Sequence, residues 1–124
     1  MRFAILIPSS LILLFAIAII GASRGTLAPE KLYPDPQNVE EFLERGELYE
    51  KAGSYEKAFS DYEKAVQLNP DDSSGYLGQA SVLSAMDQPD AAIEKYLLVK
   101  EIDRRNGVST RMVEYLIDKE REKL

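Results

Sequence analysis

Downstream of residue 38, apolar side chains recur every third or fourth position and charged ones fill the gaps. That spacing predicts helices with one buried face. Over Val39–Gly53 the apolar set is Val39, Phe42, Leu43, Leu48 and Tyr49; over Tyr55–Leu68 it is Tyr55, Ala58, Phe59, Tyr62, Ala65, Val66 and Leu68. Small residues (Gly46, Ala58, Ala65) sit where two antiparallel helices must approach closely, and Tyr49, Phe59 and Tyr62 fill the wedge beside them. Ala52-Gly53-Ser54 reads as the turn between them. Asn69-Pro70-Asp71-Asp72 closes the unit, since proline cannot continue a helix. Asn38 followed by Glu41 gives a capping-box start and puts the boundary of the helical region near residue 38.

The pattern then repeats. Shifting Ser73–Asn106 back by 34 residues lays Tyr76 on Phe42, Ala80 on Gly46, Leu83 on Tyr49, Ala92 on Ala58, Tyr96 on Tyr62 and Ile102 on Leu68. Only Leu43/Leu77, Ala58/Ala92 and Tyr62/Tyr96 are identical, so what repeats is the alternation of bulk and smallness. The first helix of this second unit carries Tyr76, Leu77, Ala80, Val82 and Leu83, and the second Ala92, Ile93, Tyr96, Leu97, Val99 and Ile102. Asp87-Gln88-Pro89-Asp90 starts that second helix, with proline early and acid in the first turn. Asp71-Asp72-Ser73-Ser74 reads as an N-cap of the helix that begins near Ser73. After Asn106-Gly107, Val108–Leu124 predicts one more amphipathic helix. Its inner face is Met112, Val113, Leu116 and Ile117, with Tyr115, and its wet face Arg111, Glu114, Asp118, Lys119, Glu120 and Arg121.

A 34-residue period built of two helical patterns resembles the tetratricopeptide repeat (TPR). The resemblance implies an all-α, TPR-like α-solenoid: repeats 39–72 and 73–106, then a capping helix over 107–124 that covers the exposed end of the stack. Departures from the family are Val99 at a usually small position, Arg104 where Pro70 closes the first unit, and Arg45 and Gln79 at positions that are commonly leucine. The resemblance also implies a site. In TPR proteins the first helix of each pair lines a concave groove, which here places Glu40, Leu43, Glu47 and Glu50 beside Ser74, Leu77, Ser81 and Ser84. Chaperone-binding relatives grip a carboxylate with Lys, Asn and Arg from such positions. Leu43, Glu47, Leu77 and Ser81 stand there instead, so that clamp is absent. The expected partner is a protein or peptide, basic or amphipathic.

The other apolar stretch is at the start. Phe3–Ala22 is 20 residues without a charge, about 30 Å as a helix, the thickness of a bilayer core. Pro8-Ser9-Ser10 is tolerable within it, because the serines can bond back to helix carbonyls. Residues 1–23 are expected to be a single-pass transmembrane anchor. The competing reading is a signal peptide cleaved near Gly21-Ala22-Ser23, although the run exceeds the ~7–15 residues of a signal core. Arg2 before the span and Arg24 and Lys31 after it nearly balance the positive-inside bias. A short positive N-terminus that stays inside would place the repeats outside the cytoplasm. Residues 24–37, with Pro29, Pro34 and Pro36, read as a semi-extended linker reaching about 40 Å in the polyproline limit. Its one aromatic, Tyr33, is expected against the first helix pair or at the membrane interface.

Composition narrows the chemistry. The chain has 15 Lys+Arg and 21 Asp+Glu; only Arg2 lies in the apolar segment, so the rest carries 14 against 21, a net of −7. Such a surface repels nucleic acid and anionic lipid heads. With no Cys and no His, disulfides, His–Cys metal sites, Ser–His triads and histidine bases are excluded. The carboxylates Glu40, Glu44 and Glu47 share a helix side with no converging base, which is the pattern of a solvated face. No cofactor is expected, and no enzyme. The functions left are a membrane-tethered adaptor or scaffold that helps assemble a complex, a structural subunit packed in a larger complex or self-associating, and a secreted or periplasmic binding module.

Overall fold

The computed structural model describes residues 27–124. The expected membrane anchor over residues 1–23 lies outside them; among the described residues no helix is long and apolar enough to cross a membrane. Six helices are present there: α1 (Pro29–Leu32), α2 (Val39–Lys51), α3 (Tyr55–Leu68), α4 (Ser74–Ala85), α5 (Pro89–Arg105) and α6 (Arg111–Arg121). The extensive neighbours are α2 with α3, α3 with α4, α4 with α5 and α5 with α6, and α2 also touches α4. The helices therefore stack as two antiparallel pairs followed by a fifth long helix.

Local chemistry sets each boundary. Asn38 Oδ1 accepts from the Glu41 amide at 3.0 Å, and Glu41 returns a bond to the Gln37 amide at 2.8 Å, one residue before the usual partner. At the start of α4 it is Asp72, not Ser73, that accepts from the Ser74 amide, at 2.9 Å. Pro89 opens α5 as its first residue. Gly53 and Gly107 end their helices at φ +74° and +70°, and Asp87 takes the same left-handed turn at φ +56° in the place equivalent to Gly53.

The core runs through the stack in two groups. Tyr49, Ala58, Tyr62 and Val82 form one, and Ala80, Ala92, Tyr96, Val99, Val113 and Ile117 the other. Tyr62 is the wedge between the pairs. A methyl group on Gly46 (α2) would lie 2.7 Å from its ring, and one on Gly78 (α4) 2.5 Å. The smallness of Gly46 thus serves the close approach the pattern implied, and Gly78 does the same from the second unit.

Several expected core positions lie elsewhere. Leu68 and Leu97 are exposed. On α6 the buried line is Val113, Ile117 and Glu120, at i, i+4 and i+7. Met112 is turned ~100° off that line and is 69 % exposed, and Tyr115 is exposed with it. Glu120, expected on the wet face, is 3 % exposed.

The segment before the repeats is not free. One turn of helix, Pro29–Leu32, folds back on α2 and α3. Lys57 bridges Glu30 at 2.8 Å, the Tyr33 hydroxyl donates to Glu44, and Arg45 Nη1 donates to the Tyr33 carbonyl at 3.0 Å. Pro36 is buried. Tyr33 packs as one of its two expected placements required. The prolines stiffen this stretch without extending it, because its polar side chains and carbonyl find partners on the first helix pair.

Candidate partner-binding groove

The helices α2, α4 and α6 form one row, tied by side chains that cross between them. Glu50 on α2 accepts from the Ser81 hydroxyl of α4 at 2.5 Å and from the Tyr62 hydroxyl at 2.9 Å. Burial, then the bond to Glu50, pushes the Tyr62 hydroxyl pKa well up. Ser84, one turn further along α4, donates to Glu120 of α6 at 2.5 Å. Lys123 completes that second node, its Nζ 3.0 Å from Ser84 Oγ and 2.9 Å from each Glu120 oxygen. Burial raises the Glu120 carboxyl pKa, yet Ser84 and Lys123 outweigh it and the net shift is downward.

The eight candidate residues differ in their surroundings. Glu47 and Glu50 line one shallow cleft of about 400 Å³ with Lys51, Tyr55 and Ala85. Ser81 and Ser84 are half-buried and face the carboxylates just described. Leu77 is 40 % exposed, whereas Leu43 packs on the Tyr49–Tyr62 core, and Glu40 is exposed at the first turn of α2. Ser74 is exposed at the start of α4, its amide held by Asp72. Among the described residues no Lys or Arg nitrogen lies within ion-pair distance of Glu47 or Glu50. The row thus presents carboxylates at one end, hydroxyls and Leu77 in the middle, and a Ser–Glu–Lys node at the other.

Glu120, Lys123 and the Tyr62 hydroxyl are the participants that sequence reasoning missed. A charged residue in phase with Val113 and Ile117 was the available signal for Glu120. The departures at Arg45 and Gln79, by contrast, become intelligible. Arg45 grips the nearly buried Asp61 through two bonds of 2.7 Å, so a guanidinium does there what leucine does by packing. The residues 34 positions on are Gln79 and Lys95. No such pair forms between them, and Gln79 Oε1 is buried without a partner.

The 34-residue shift also explains α6. It carries buried Gln79 to buried Val113, and Leu83 to Ile117, which gives α6 the register of the first helix of a further unit. Ala80, which meets α5 beside Ala92, maps onto Glu114. Glu114 instead bridges Lys100 at 2.9 Å, and Asp118 pairs with Arg121 at 3.2 Å around a polar cleft that Leu97 and Ile117 also line. A charged residue thus stands on α6 where the preceding unit has alanine at the close helix approach.

Antiparallel helix pairs in register, with first helices aligned in a row, define a helical repeat module. The family model of the tetratricopeptide repeat matches residues 39–72, and the chain carries a tetratricopeptide repeat over α2, α3 and the turn that follows. Repeats of this family generally mediate protein–protein interaction, so a protein or peptide is the class of partner that the module serves.

Proposed function

We propose that the chain is a non-catalytic, membrane-tethered adaptor whose repeats hold a basic or amphipathic segment of another protein in the α2–α4–α6 row. The observation that carries this is the unpaired carboxylate end of the row, Glu47 with Glu50, beside the exposed Leu77. An uncompensated acidic surface contributes little to stability. It does attract and orient a cationic partner, an effect that weakens as salt shortens the ~8 Å screening length. The charge-free run Phe3–Ala22 supports the tether, and a short positive N-terminus ahead of it supports placing the repeats outside the cytoplasm.

Two measurements test this. Full-length protein is expected in the membrane fraction and resistant to carbonate extraction, with a chain that starts at Arg24 released; an intact mass beginning near Arg24 would favour the secreted reading instead. For the groove, Glu40→Lys with Glu47→Lys is expected to leave the helical content intact and to weaken partner capture at low salt. Glu50 is spared because it bonds Ser81 and Tyr62. Capture indifferent to both reversals would move the interface off this face.

A further inference from the structure

Glu120 is a carboxylate withdrawn from water at the end of the proposed groove, with 4 % of its side chain exposed. A buried anion needs a cation and a full set of donors. Ser84 supplies one donor and Lys123 the cation, its ammonium against both carboxylate oxygens and the serine oxygen. The receptor is built and the occupant is loosely attached to it. Lys123 follows the end of α6, its amide donates only to the Glu120 carbonyl of the same turn at 3.0 Å, and a third of its side chain is exposed. The same serine–carboxylate pairing occurs one step back along the row, Ser81 on Glu50, where among the described residues no ammonium sits.

We propose that Ser84 and Glu120 form a lysine-ammonium subsite of the groove, which the chain's own Lys123 fills until a partner's lysine replaces it. The inference rests on the groove reading above and adds to it a ligand group and a means of self-inhibition. Exchange costs the rotation of one exposed side chain and leaves the number of ammonium–carboxylate contacts unchanged. An apolar group in its place would strand a buried charge, so the subsite selects a cation. Because the internal lysine keeps most molecules in the closed form, apparent affinity for an external lysine is lowered by the open fraction.

The test is fluorescence-anisotropy titration of the full chain with a fluorescein-labelled hexalysine peptide. Lys123→Ala is expected to tighten binding about threefold or more, and Lys64→Ala, the same charge change on an exposed face of α3, to alter it by less than about twofold. Adding Glu120→Gln to Lys123→Ala should abolish the gain. If Glu47→Lys weakens the peptide but Lys123→Ala does not strengthen it, the groove stands and the subsite falls. Peptide binding indifferent to both substitutions overturns both. Should Lys123→Ala unfold the chain, titration of the wild type followed by amide NMR decides. Shifts at Ser84 and Glu120 support exchange, and shifts confined to Glu47 and Glu50 contradict it.

Discussion

At the scale of single residues, one polar pair stands where the family packs leucine. Arg45–Asp61 is bidentate and largely withdrawn from water, so removing one partner strands the other. Asp61→Ala is expected to lower the unfolding free energy by about 3 kcal/mol, read as a shift in urea midpoint; an unchanged midpoint would make the pair ornamental. The equivalent position in the second unit behaves in the opposite way. Gln79 keeps a buried oxygen without a partner, and Gln79→Leu is expected to raise stability by about 1 kcal/mol. A loss of stability on that substitution would mean that the amide has a bond that this arrangement does not give it. Acid should act through the carboxylates whose pKa is depressed in the fold. Glu30 is held at about 2 by Lys57, and Glu120 lies below its usual value against the pull of burial. For a depressed carboxyl the stabilisation is complete above the unfolded pKa near ~4.3 and drains away as pH falls through the folded one. A helical signal that weakens from about pH 4.5 downward towards 2 is therefore expected.

At the scale of elements, the close approaches are made by glycine and alanine around one tyrosine. Gly46→Ala or Gly78→Ala would press a methyl group into the Tyr62 ring, and each is expected to cost ~1–3 kcal/mol. Ala58→Phe and Ala92→Phe, at positions with no exposed surface, should cost at least as much in the same denaturation experiment. Helix existence and pairing were legible in the sequence because the 34-residue alternation of bulk is itself the packing code. What the alternation could not convey was phase within a short amphipathic helix. Met112, Val113, Leu116 and Ile117 fill one broad face of ~140°, and only the neighbours decide which part of it turns inward. Val113 and Ile117 pack on the Ala80–Tyr96 core with Glu120 in line, and Met112 and Tyr115 lie outside. That the linker folds back around Tyr33 instead of extending was illegible for a related reason. Its anchors, Glu44, Arg45 and Lys57, are distant in sequence and carry no period.

At the scale of the whole molecule, charge divides the surface by role. Ion pairs (Lys100–Glu114, Asp118–Arg121) lie along α6, while among the described residues Glu47 and Glu50 have no cation within ion-pair distance along the row of first helices. The resemblance selects the candidate residues as one face of the row, but it carries no sign of which of them bond between helices. Glu50, Ser81 and Ser84 are engaged in bonds between helices, whereas Glu47 and Leu77 make no such bond among the described residues.

That division gives the most direct test of a protein-binding groove. A photo-crosslinking amino acid is placed at Leu77 in one full-length chain and at the exposed Glu63 of α3 in another, and adducts formed in intact cells are identified by mass spectrometry. A discrete adduct is expected from position 77, weakened by Glu47→Lys and by added salt, and none from position 63. Adducts from position 63 with none from position 77 would contradict the groove as the binding face.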